Sequence, residues 1–177
     1  MEKNIKAAFA KKVNDFSLPP YSELPDMGLY LEQVARFINS CMMPLGCTEL
    51  TISMISNYVK KGVIDPPVRK QYRAEQIGYL FFVSVAKNVM SMEAIIRLLQ
   101  MQRAIYDPRT AYEYFRSELD NILRYISGQK DKLDNIGVTN TGEKTLIRSV
   151  LTAACHVIFV NSSLEERKPE GADTAGA

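Results

Sequence analysis

Ser53, Ser56, Asn57 and Lys60 recur at a spacing that gathers hydroxyl, amide and ammonium groups on one helix face, and Arg69, Lys70 and Arg73 follow shortly after. Hydroxyl and amide groups can reach base edges or phosphate oxygens, and the cations supply salt-sensitive attraction to a phosphate backbone. No carboxylate interrupts residues 51–64. The chemistry these residues suit is polyanion binding, with duplex DNA the first partner to expect.

The charge distribution points the same way. Residues 51–73 hold five Lys/Arg (Lys60, Lys61, Arg69, Lys70, Arg73) against the single acid Asp65. Residues 1–50 carry five basic and six acidic side chains, and residues 74–177 twelve and thirteen, in a chain of net charge +2. The positive excess therefore sits on one compact segment, the electrostatic footprint of a nucleic-acid partner.

A short helix must present this face. Thr51 is a favourable N-cap, and Gly62 follows the last periodic position, where a left-handed residue ends a helix. Ile52, Ile55 and Val59 point inward, with Tyr58 and Lys61 at the rim of the outer face. Val63 and Ile64 can return to the core, and Asp65-Pro66-Pro67 enforces an extended turn. Val68 to Arg73 alternates crudely, as a short basic β-wing would, and includes Tyr72. The plainer alternatives are a solvated amphipathic helix and a charged surface loop.

Around this unit the pattern is mostly helical. Ile5, Phe9, Val13 and Phe16 fall at helical spacing and can dock on the body, with membrane-surface binding of the basic stretch as the alternative. A Pro-rich connection precedes a helix at 29–43 with Leu31, Val34, Phe37, Ile38 and Cys41 on one stripe. A strongly apolar helix is expected at 74–90. Ser91 can cap the next one, with Ile95, Ile96, Leu98 and Leu99 inward. Asp107-Pro108 opens a helix at 108–127, where Ala111, Phe115, Leu119, Ile122 and Ile126 form one face. A last helix near 143–160 carries Ile147, Val150, Leu151, Ala154, Val157 and Ile158, and the polar tail from 161 is expected to be disordered.

ISNYVKKGVI (55–64), VRKQYRAEQI (68–77) and SMEAIIRLL (91–99) resemble the MerR-type winged helix-turn-helix, over about residues 29–100. More closely, LPPYSELPDMGLYLEQVARFIN with GCTELTISMISNYVKKGVI is similar to an uncharacterised bacterial family catalogued as a domain of unknown function, over roughly residues 17–125. The resemblance implies a DNA-binding fold with no established activity. In the MerR pattern Arg-Tyr-Tyr-Glu stands where this chain has Ser56-Asn57-Tyr58-Val59. Tyr58 keeps the hydroxyl that the pattern sets against phosphate, while the loss of its Arg shifts phosphate contact to Lys60, Lys61 and the wing. The pattern's effector-binding cysteines are not evident.

Other chemistries find little support. Cys41, Cys47 and Cys155 have no metal-ligand spacing and read as reduced thiols. His156 adjoins Cys155, but neighbours on a helix diverge by about 100°. Gly137 to Thr145 resembles a phosphate-binding loop with Glu143 inserted before Lys144, and no convincing strand precedes it. No uncharged apolar run reaches about 18 residues, and the N-terminus lacks the apolar centre of a signal peptide, so a cytoplasmic protein without membrane spans is expected.

The expected fold is mainly α: a MerR-like winged helix-turn-helix with a small β-wing and a helical C-terminal extension. Its parts are an N-terminal helix and connection (1–28), a DNA-binding domain (29–106), a helical extension (107–160) and a tail (161–177), with a soft boundary near 101–107. The expected function is sequence-specific duplex DNA binding in transcriptional regulation, without catalysis, cofactor or metal. The contact set comprises Ser53, Ser56, Asn57, Tyr58, Lys60, Lys61, Arg69, Lys70, Tyr72 and Arg73. The alternative is a protein-interaction module on the same scaffold. A homodimer is expected, paired through the apolar faces of 108–127 and 143–160, unless those faces pack on each other and on the first helix. Any small-molecule effector is unspecified.

Overall fold

Three helix starts are set by side chains that cap them. Thr51 Oγ1 accepts from Met54 N at 3.1 Å, Ser91 Oγ from Ala94 N at 3.2 Å, and Asp107 Oδ1 from Thr110 N at 3.0 Å with Pro108 in the first turn. The computed structural model describes residues 2–137 and 141–165. Among these the α-helices are α1 (Glu2–Asp15), α2 (Leu31–Met42), α3 (Ile52–Lys60), α4 (Ala74–Ala86), α5 (Met92–Arg103), α6 (Pro108–Ile126) and α7 (Gly142–Glu165). Two short strands, β1 (Leu29–Tyr30) and β2 (Gln71–Tyr72), pair antiparallel, with Leu29 opposite Tyr72 and Tyr30 opposite Gln71.

The protein is thus mainly helical with a small two-stranded sheet. Helix α4 is its centre: every residue from Gln76 to Ala86 is buried. Gly78 lets α6 approach closely, since a Cβ there would stand 3.1 Å from the Tyr112 ring. Phe9 of α1 meets Phe159 of α7 edge-on at 5.1 Å, so α1 docks on the body as its spacing suggests. One buried apolar cluster draws residues from both sides of 101–107, from Phe9 to Ile158.

Several boundaries differ from expectation, each for a local reason. Helix α4 stops at Ala86 rather than 90, because the Asn88 side chain donates to the Ser84 and Val85 carbonyls and takes over the last turn. Residues 29–30 are strand rather than helix, drawn into pairing with β2. Residues 161–165 continue α7, with buried Ser162 accepting from Lys12 at 2.8 Å. The rest of the expected tail lies outside the described residues, as do residues 138–140 of the segment likened to a phosphate loop.

Most of the two faces expected to pair two copies packs inside the chain, while Val150 and Val157 of α7 stay half-buried. Ala111, Phe115, Leu119, Ile122 and Ile126 of α6 are buried, as are Ile147, Leu151, Ala154 and Ile158 of α7. Across that contact Arg148 on α7 donates to fully buried Glu118 on α6 at 2.5 and 3.1 Å, and to the Asp134 carbonyl at 2.7 Å.

Candidate nucleic-acid interface

Helix α3 is fixed at both ends by side chains from other helices. At its entry, Asn39 of α2 donates to the Leu50 carbonyl at 3.0 Å and accepts from Leu50 N at 2.8 Å. Lys87 donates to the nearby Thr48 carbonyl at 3.0 Å. At its exit, Gly62 is left-handed with φ +71°; Gly62 N donates to the Val59 carbonyl and Val63 N to the Tyr58 carbonyl, a Schellman closure. The chain beyond is held by Arg103 of α5, which donates to the Val63 carbonyl at 3.0 Å while its guanidinium lies 4.2 Å over the Tyr79 ring.

The segment read as a wing is a two-residue hairpin. Val68 and Gln71 exchange backbone hydrogen bonds at 2.9 and 3.0 Å. The turn residues Arg69 and Lys70 have φ +52° and +65°, the left-handed pair of a type I′ turn. Asn-Gly favours that geometry, whereas each non-glycine residue there costs roughly 1–2 kcal/mol. Two cations are therefore held at a tip whose backbone they disfavour. Gln76 anchors the hairpin's base: its amide donates to the Asp65 and Pro66 carbonyls at 2.9 and 3.0 Å and accepts from Arg73 N at 2.8 Å.

Ser53, Asn57 and Lys60 are exposed on α3, Lys61 is exposed just after it, and Ser56 is half-buried. Arg69, Lys70 and Arg73 are exposed on and beside the hairpin. None of these five cations joins an ion pair among the described residues. One acid does come near: Glu93 in the first turn of α5 has its pKa lowered chiefly by a backbone hydrogen bond and next by the charge of Lys61.

Two members of the expected contact set are corrected. Tyr58 is buried rather than at the rim, because its side chain fills the core under α3. Tyr72 is buried as well, since its position opposite Leu29 turns the ring inward. Burial raises the pKa of both phenols. They support the interface from beneath.

The positioning residues Asn39, Gln76 and Arg103 were not singled out by sequence. A polar residue inside an apolar stripe was the available signal for Asn39 and Gln76. Also unforeseen is an apolar strip between hairpin and helices, where Tyr30, Ile52 and Val68 are 54%, 44% and 56% exposed. Tyr30 and Ile52, with Leu31 and Pro67, border an open groove.

A family model described as a domain of unknown function (DUF1836) matches residues 19–115. The chain belongs to this family. No curated protein and no solved structure matches it. The DUF1836 span contains α2, α3, the hairpin, α4, α5 and the start of α6, including every candidate contact residue and each clamp that positions them. It leaves out α1, most of α6 and α7.

Proposed function

We propose that this DUF1836 protein binds duplex DNA sequence-specifically as a transcriptional regulator, using α3 as a recognition helix and the 68–71 hairpin as the wing of a MerR-like winged helix-turn-helix. The observation that carries the reading is the exposure of Ser53, Asn57, Lys60, Lys61, Arg69, Lys70 and Arg73 on two adjoining elements whose backbones are clamped from behind. In this arrangement α3 enters the major groove, Asn57 and the serines address base edges, and the hairpin tip and Arg73 neutralise flanking phosphates. Selection of binding sites from a random duplex pool tests it. Enrichment of a defined motif is the expected result; an unenriched pool would contradict it.

A second reading, a protein-interaction module on the same scaffold, draws on the exposed Tyr30, Ile52 and Val68. It requires no DNA affinity. The steep fall of affinity with salt that phosphate contacts impose separates the two.

A further inference from the structure

Helix α7 carries a second apolar stripe beside the one it buries. Leu146, Val150, Ala153, Val157, Val160 and Leu164 are spaced 4, 3, 4, 3 and 4 residues apart, the seam of a coiled coil. On a 3.6-residue period they share an arc of about 80° and run roughly 27 Å. Leu146, Val160 and Leu164 are 44%, 51% and 59% exposed; Ala153 is exposed, and Val150 and Val157 are half-buried. The opposite side, with Ile147, Leu151, Cys155, Ile158 and Ser162, is occupied by the body of the protein.

We infer that this stripe is the interface of a homodimer in which α7 pairs antiparallel with α7 of a second copy. The spacing is palindromic about a point between Ala153 and Val157. An antiparallel twofold partner therefore sets Leu146 against Leu164, Val150 against Val160 and Ala153 against Val157, each a layer of one a and one d position. Parallel pairing would instead set Ala153 against Ala153 and leave a gap at that layer. Residues 149–164 contain no Asp, Glu, Lys or Arg, so like charges do not oppose self-association along most of the seam. Opposed helix dipoles also favour the antiparallel arrangement.

Other occupants fit less well. Residues 166–177 contain no large apolar side chain with which to cover the stripe. By length and composition α7 could cross a membrane, but crossing would pull its buried face from the core and break the Arg148–Glu118 pair. The stripe is also narrow, bordered by Ser149, His156, Asn161 and Ser163, which suits one helix rather than a bilayer.

Light scattering on the full chain at concentrations up to about 100 µM tests the inference. The expected mass is twice the chain's 20.0 kDa. Val160→Glu with Leu164→Glu changes two exposed positions and should weaken the dimer at least about 100-fold while helical content is retained. Orientation is read in chains whose Cys41 and Cys47 are replaced by Ser: a mixture of Leu146→Cys and Leu164→Cys proteins should oxidise to the mixed dimer. A monomeric wild type, a double-Glu variant that dimerises equally well, homodimeric Leu146→Cys crosslinks, or co-flotation of the wild type with phosphatidylcholine–phosphatidylglycerol vesicles would each overturn it. None of these readouts uses DNA, so a monomer would refute this interface and leave the DNA reading to its own test.

Discussion

Asn39 holds Leu50 by both of its backbone polar groups, donating to the carbonyl at 3.0 Å and accepting from the amide at 2.8 Å. Leu50 is the residue before the N-cap of α3, so this clamp sets where the candidate recognition helix begins. Asn39→Ala leaves both groups unpaired and should destabilise the fold by about 1–3 kcal/mol in urea titration. Asn39→Asp keeps the acceptor but loses the donor, and should retain more stability than the Ala variant. Equal stability of Asn39→Ala and wild type would show that α3 does not depend on the clamp.

On the outer face of α3, Asn57 and Lys60 should behave differently. An amide can pair bidentately with adenine, so Asn57→Ala should cost about 1–3 kcal/mol on the preferred site and relax selectivity there. Lys60→Ala should weaken binding to all sequences alike. Competition against variant sites measures both; unchanged binding and selectivity in the two variants would remove α3 from the interface.

The hairpin tip offers an exchange of stability for function. Arg69→Asn with Lys70→Gly supplies the residues that the left-handed turn prefers and should stabilise the protein by about 1–2 kcal/mol. The same change removes two cations and should lower DNA affinity. A variant that is more stable and binds DNA as well as wild type would take the tip out of the contact.

Between α6 and α7, Glu118 is fully buried and its partner Arg148 is 31% exposed. Arg148→Met strands a buried carboxylate and should cost about 3–5 kcal/mol in denaturant unfolding. Replacing both residues by Met should recover much of that loss, because no charge is then left unpaired. A single variant as stable as wild type would show the pair to be energetically idle.

Alkaline pH should destabilise the fold. Burial pushes the Cys47 thiol from 9.0 to about 11, partly offset by nearby Lys87, and burial also raises the Cys155 thiol. The unfolded chain releases these protons near pH 9 while the folded chain keeps them. Stability is therefore fully present below that pH and falls as pH rises toward 11. Cys47→Ala should flatten part of the decline in urea midpoints measured from pH 8 to 11. An identical slope in the variant would remove Cys47 as a contributor.

Where backbone and side chain are governed by neighbours in sequence, the fold was readable. The caps at Thr51, Ser91 and Asp107 and the left-handed Gly62 each depend on residues within a turn, and all four appear as their types suggest. The inward turn of Tyr58 and Tyr72 was not readable, because a tyrosine at a helix rim or in a short strand buries or exposes its ring according to distant packing. The clamps from Asn39, Gln76 and Arg103 bridge separate elements, so a polar residue in an apolar stretch marks Asn39 and Gln76 without naming their partners. For α7, one apolar helix contained two stripes, and only the packing of α6 and α1 shows which of them is used internally.

The most direct test of the DNA reading is the salt dependence of affinity for a selected duplex, compared between wild type and the triple variant Arg69→Gln, Lys70→Gln, Arg73→Gln. Each phosphate contact contributes about 0.9 to the slope of log K against log salt on B-form DNA. The wild type should show a steep negative slope, and the triple variant should flatten it by up to about three units. Identical slopes, or a wild type whose binding ignores salt, would contradict the account.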